Sequence, residues 1–279
     1  MNRNQLFEQI IEKKSFLCIG LDTDYSMLPK VVLSSDDPVF EFNKAIITAT
    51  APYAVAFKIN TAFYESEGLK GWQSMEKTMR FIKSNYTNLL LIADAKRADI
   101  GNTAARYASA FFEQLNADAL TVAPYMGHDS IQPFLNYTNK WTVLLTLTSN
   151  TGSSDFQTIT DVEGQAVYQH VITKAVQWAT ADQLMFVVGA THPEEVAVVR
   201  AMAPEYFFLV PGIGAQGGSL EKVAQAGLNA QCGLLVNSSR GIIYASTDAN
   251  FAKNAAEKAR EIQLSMEAIL RKSNILPIT

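Results

Sequence analysis

Four charged residues of alternating sign dominate the chemistry open to this sequence. The segment LLLIADAKRADIGNT, residues 89–103, places Asp94 and Lys96 two positions apart after an apolar run, with Asp99 three positions further on. A second apolar run, VAFKIN at 55–60, carries Lys58 near its end. Residues two apart on a strand project to the same side, so Asp94 and Lys96 are expected to share a face, with Lys58 beside them. Each ammonium then has a carboxylate neighbour, which favours the charged form of both. A fixed ammonium can stabilise negative charge that develops on a substrate, with no metal or imine required. Any one of these residues alone reads as part of a solvated ion pair at a strand-to-helix turn. All four at strand ends read as a site, because ionisable groups gathered in clefts are enriched where function lies.

A second cluster suits an anion. The stretch VPGIGAQGG, residues 210–218, includes Pro211 and Gln216 and precedes a helical pattern that starts near Ser219. Glycines let backbone N–H groups turn toward an anion, and a helix N-terminus favours negative charge. Arg240 follows in NSSRG, residues 237–241. Its planar fork can hold two phosphate oxygens. A tight strand-to-helix turn is the plain alternative for the glycines, and the nearby arginine favours phosphate.

The elements that must position these groups alternate along the chain. Apolar runs rich in Val, Ile, Leu and Phe occur at 16–22, 55–60, 89–94, 119–124, 141–148, 184–191, 206–212 and 233–238. Near-continuous apolar strands suit a parallel sheet buried on both faces. Helical patterns lie near 38–50, 71–85, 103–116, 164–180, 193–201, 219–227 and 250–272, with an extra one at 3–14 expected to cover the barrel bottom. This order predicts an α/β chain folded as one (β/α)8 TIM barrel over residues 1–279. An open doubly wound sheet competes, but no GxGxxG follows the first strand. Polar or Gly residues stand at most strand ends, among them Asp22, Lys58, Asp94, Ser149, Thr191, Gly212 and Arg240. Barrels build their active sites on that face, often with phosphate after strands seven and eight.

Composition narrows the class. The 279 residues are 48% hydrophobic, enough for a sizeable core. The net charge of −4 and the lack of a basic stripe argue against nucleic acid. No apolar run approaches membrane-spanning length, and residues 1–16 lack a signal-peptide pattern, so a soluble cytoplasmic protein is expected. Cys18 and Cys232 lie in apolar runs and read as small buried hydrophobes. The three His, at 128, 170 and 192, are scattered, so no metal site is expected. His128 and His192 sit in post-strand loops, where capping or solvent bonding explains them equally well. Asp129 and Ser130 read as helix-start residues.

The run DAKRADIGNT, residues 94–103, resembles the D-x-K-x-x-D-I-x-N-T signature of the orotidine 5'-phosphate decarboxylase family, in its longer bacterial branch. The likeness extends from GLD at 20–22 to NSSRG, and Gly101 stands where many members carry proline. The resemblance implies decarboxylation of orotidine 5'-phosphate to UMP, the last step of de novo pyrimidine nucleotide synthesis, without a cofactor. By it, Lys96 donates a proton to C6 of the pyrimidine and stabilises the carbanion. Asp94 sits against the substrate carboxylate, and Lys58 holds the network and meets the ribose. Asp99 and Thr103 reach across a homodimer interface into the neighbour's site. Asp22 takes a ribose hydroxyl. Gln216 and Arg240 take the phosphate, with Pro211 on the same stretch, and Ser149 or Thr148 the pyrimidine ring. Asn60 and Asn102 also face the site.

Three rivals use the same residues. A metal-dependent sugar-phosphate decarboxylase or synthase of the same superfamily shares D-x-K-x-x-D, but Lys58 would fill the metal's place with positive charge. A Schiff-base aldolase would need Lys96 with a lowered pKa, and flanking carboxylates act the other way. A non-catalytic nucleotide-phosphate binder on the same fold is the third. Its mark would be a missing charge, and none is missing.

Overall fold

The computed structural model describes residues 1–189, 193–212 and 219–277. Eight parallel strands close into a barrel in chain order. They are β1 (Leu17–Gly20), β2 (Ala56–Asn60), β3 (Leu90–Arg97), β4 (Ala119–Val122), β5 (Trp141–Leu147), β6 (Leu184–Val188), β7 (Phe207–Val210) and β8 (Leu234–Ser238). Leu17 pairs with Val236, and this β1–β8 ladder closes the ring. Nearly every strand residue is buried, because side chains fill the barrel inside and helices cover it outside. That double burial is why the strands read as continuous apolar runs rather than alternating ones.

Helices Pro38–Thr50, Gly68–Asn85, Gly101–Ser109, Val167–Trp178, Pro193–Met202, Leu220–Gly227 and Phe251–Lys272 form the outer layer where helical patterns were expected. Asp37 caps the first of these by accepting from Phe40 N, with Pro38 at the first helical position. Ala62–Glu65 and Arg240–Ile243 escaped the pattern, and of His128–Leu135 only the start, at Asp129 and Ser130, was read. Each is short, and His128–Leu135 also contains Pro133, so none offers enough turns for a period to show. The opening helix, Arg3–Lys13, lies across the N-terminal end of the barrel. Leu6 and Ile10 are buried there, Gln9 accepts from Asn88 ahead of β3, and Arg3 donates to Gln231 ahead of β8. The last helix packs on Pro38–Thr50, with the Phe42 and Phe251 rings stacked 5.2 Å apart. Among the described residues, no helix is long and apolar enough to cross a membrane.

Two local departures bear on the site. β3 runs past Asp94 to Arg97, and its register against β4 breaks between Ala93 and Arg97. Gly101 takes φ +49, a value that proline's ring forbids. The position where many members carry proline therefore has a backbone here that proline could not adopt.

Candidate active site

Asp94 is the hub of the charged cluster. Its Oδ2 accepts from Lys58 Nζ at 3.0 Å, and its Oδ1 accepts from Lys96 Nζ at 2.7 Å and from Thr121 Oγ1 at 2.9 Å. The Lys58 ammonium also stands 3.5 Å from Asp22 Oδ1. The barrel register makes these meetings possible: Lys58 pairs with Ile92, and Gly20 with Lys58, so β1, β2 and β3 present their C-terminal ends side by side.

Electrostatics follow from burial. Lys58 is only 4% exposed. Desolvation alone would push its pKa down, but the carboxylates of Asp94 and Asp22 outweigh it and hold the ammonium above the usual lysine value. Burial likewise raises the Asp94 pKa, and the two lysines overcome it, pulling the carboxyl down to about 2. The network is therefore ionised at neutral pH, with one carboxylate between two cations. Lys96 differs from Lys58 in being half-exposed, so its ammonium can meet a ligand while still bonded to Asp94.

A cavity of about 280 Å³ opens over this network. Asp22, Lys58, Asp94 and Lys96 line it on one side, and Pro211 and Arg240 face it after β7 and β8. Arg240 opens the short helix after β8, and among the described residues its guanidinium has no protein partner. A ligand with an anionic end and a reacting end suits that division. Among the described residues, no three His, Cys, Asp or Glu side chains gather in a metal-binding group.

The expected residues divide by where the structure places them. Asp22, Lys58, Asp94, Lys96, Pro211 and Arg240 converge on the cavity, as does Asn60. Asp99 does not join the network of its own chain. Its Oδ1 accepts from Ile100 N, and Thr103 is exposed in the first turn of the following helix. Asn102 is exposed beside them. Ser149 lies where a Cβ on Gly189 would come within 2.9 Å of its backbone N. The Thr148 hydroxyl is engaged locally, donating to Asn150 Oδ1 at 2.6 Å and accepting from Gln157 Nε2 at 2.9 Å. Gln216, Thr191 and His192 lie outside the described residues. His128 packs its ring 4.9 Å from Trp178.

Some site residues were not singled out from the sequence. Thr121 is a polar interruption of the apolar run ALTVAP, and that interruption was its only signal. Asn237, Ser238 and Ser239 line the cavity ahead of Arg240, and their polarity at a strand end was visible in NSSRG. Arg97 pairs with Glu65 and lies 5.5 Å from the ring centres of Tyr107 and Phe111. It thereby ties the exits of β2 and β3 to the helix after Gly101.

Comparison with known proteins places the chain in a family. The family model described as orotidine 5'-phosphate decarboxylase / HUMPS matches residues 15–255. The orotidine 5'-phosphate decarboxylase of Phocaeicola vulgatus is 56% identical over 270 residues, covering 97% of this chain and 99% of that one. That of Porphyromonas gingivalis is 54% identical over 276 residues, covering 99% of this chain and all of that one. Among solved structures, the OMP decarboxylase of Leishmania donovani superposes with a TM-score of 0.79 at 38% identity, over 95% of this chain and 100% of that one. This chain belongs to the orotidine 5'-phosphate decarboxylase / HUMPS family.

Proposed function

We propose that this chain is a carboxy-lyase that converts orotidine 5'-phosphate to UMP and CO2 on the Lys58–Asp94–Lys96 network. The observation that carries the reading is Asp94 held between two lysines at the barrel mouth, with Arg240 across the same cavity. In the reaction the bond from C6 to the carboxylate breaks and its electron pair stays on C6. CO2 leaves, C6 takes a proton from Lys96 Nζ, and the amine regains one from water. The Lys96 ammonium lies where that negative charge develops, and a preorganised cation in a site closed to water is worth far more than one in solvent. Lys58 keeps Asp94 ionised and in place, and with Asp22 it meets the ribose. Arg240 and Pro211 take the phosphate end together with Gln216, and Ser149 takes the ring. Binding at the remote phosphate can organise the reacting end, so a substrate without it loses turnover as well as affinity.

The enzyme works as a homodimer in this reading. Asp99 and Thr103 stand outside the network of their own chain and serve the neighbour's site. Ile100, Tyr125 and Met126 are large exposed apolar residues after β3 and β4, on the same face of the barrel. A second copy seated there would cover them. The metal-dependent sugar-phosphate reading is less well supported. Lys58 Nζ stands between the carboxylates of Asp22 and Asp94, the groups a divalent cation would need.

The test is the ultraviolet absorbance of orotidine 5'-phosphate with purified protein, with and without EDTA. Loss of the orotate chromophore with UMP as product, unchanged by EDTA, is expected. No turnover by the folded protein would overturn the reading, and turnover abolished by EDTA would move it to the metal-dependent rival.

A further inference from the structure

We infer that Thr121, on β4, is a positioning residue that sets where the Lys96 ammonium stands. The inference rests on the decarboxylase reading and concerns how the proton donor is held. Lys96 takes φ +47, in the left-handed region that side-chain-bearing residues seldom occupy. The cause lies in the sheet. Ala93 pairs with Leu120 and Arg97 with Val122, so Asp94, Ala95 and Lys96 of β3 face Thr121 alone on β4. Such a bulge re-aims side chains and interrupts the ladder of backbone hydrogen bonds.

Thr121 repairs the interruption with its side chain. Its Oγ1 accepts from Lys96 N at 2.9 Å and donates to Asp94 Oδ1 at 2.9 Å. The same Oδ1 accepts from Lys96 Nζ at 2.7 Å. The roles are unambiguous, since a backbone N–H can only donate and an ionised carboxylate can only accept. One hydroxyl, on a residue only 1% exposed, thus links the Lys96 backbone to the carboxylate that holds the Lys96 ammonium. Both ends of the lysine are referred to one point. Without the hydroxyl, the Lys96 N–H loses the partner it has among the described residues, and the left-handed turn is freer to relax. The ammonium then shifts relative to C6 while Arg240 and the phosphate end stay where they are.

The experiment compares Thr121→Val, which keeps the shape and removes both hydrogen bonds, with Thr121→Ser, which keeps both bonds. The unsubstituted chain is assayed first, and its failure to turn over orotidine 5'-phosphate would fell the decarboxylase reading itself. Given turnover by that chain, Thr121→Val is expected to lose roughly 100-fold in kcat, the scale of an ångström misplacement of a reacting group. KM and UMP affinity should stay within about threefold, and Thr121→Ser should keep kcat within about fivefold. A purely structural role would instead lower Tm and UMP affinity together. Should Thr121→Val not fold, Thr121→Ala removes the same bonds with less bulk beside Asp94. The role is overturned if the hydroxyl-free variant keeps kcat within threefold, if Thr121→Ser falls as far, or if UMP affinity falls in step with kcat.

Discussion

At the scale of single residues, Asp94 shows how burial and charge trade against each other. Left alone in the barrel mouth it would be driven toward its neutral form. Between Lys58 and Lys96 it stays ionised down to about pH 2. A carboxyl whose folded pKa is depressed adds stability that is complete above its unfolded value and disappears as pH falls through the folded one. Lys58 has the opposite sign: its raised folded pKa adds stability that is complete below the usual lysine value and lost only at still higher pH. The pair therefore contributes fully from about pH 4 to about pH 10. Replacing Lys58 with Met removes the compensation and leaves two carboxylates in the site, at a cost of about 3–5 kcal/mol near neutral pH. The folded pKa of Asp94 then rises, because only Lys96 remains to offset burial, so the deficit should shrink as pH falls from about 7 to about 3. Denaturant unfolding of both proteins across that range checks this, and a deficit that grows on acidification would contradict it. Lys96→Ala is expected to cost at least ~10³-fold in kcat, at the upper end for loss of a charge-stabilising group, with the circular dichroism spectrum unchanged. Substantial remaining turnover would remove Lys96 from the role of proton donor.

At the scale of elements, close packing where strands leave the barrel bears on the proposed phosphate side. A Cβ on Gly20, at the end of β1, would lie 1.9 Å from Ser239 Oγ and 2.9 Å from Ser239 Cβ. Ser239 directly precedes Arg240, so the glycine lets β1 and the turn after β8 approach closely enough to aim the arginine. Gly20→Ala should destabilise the fold by about 1–3 kcal/mol through overpacking, and UMP affinity should fall more than uridine affinity. Calorimetry with both ligands reads the difference, and equal losses would separate Gly20 from the phosphate end. Arg240→Ala tests the ligand group itself. It should weaken phosphorylated substrate by about 1.5–3 kcal/mol, the range for a hydrogen bond to a charged group, and leave the nucleoside nearly unchanged. Equal loss for both would place the phosphate elsewhere.

At the scale of the whole molecule, the barrel gathers its polar groups on one end and its covering helix on the other. The opening helix Arg3–Lys13 seals the N-terminal end, so the C-terminal mouth is left to the site. The exposed Ile100, Tyr125 and Met126 on that side, with Asp99 outside the network of its own chain, form the surface that the proposed second copy would cover. Analytical ultracentrifugation should give twice the 30.6 kDa chain mass. Ile100→Asp together with Tyr125→Asp should shift the mass toward one chain and remove turnover at the same time. A monomer with full turnover would dismiss the shared site.

Much of this was legible in one dimension. Strands buried on both faces must be apolar throughout, so eight such runs with helical patterns between them already determined the barrel and its order. A ligand-facing strand end must carry polar residues, so Asp22, Lys58, Asp94, Lys96 and Arg240 could be read directly, and the spacing of DAKRADIGNT carried the family. The short helices could not be read as a pattern, because one or two turns are too few for a period to show. Asp99 and Thr103 could be named from the motif, but the partners proposed for them would lie on a second copy, which leaves no mark in the pattern of one chain. Thr121 was the least visible, a single hydroxyl in an apolar strand. Its importance arises only from the bulge that sets three residues of β3 against it, and register between strands is decided by tertiary packing rather than by the composition of either strand alone.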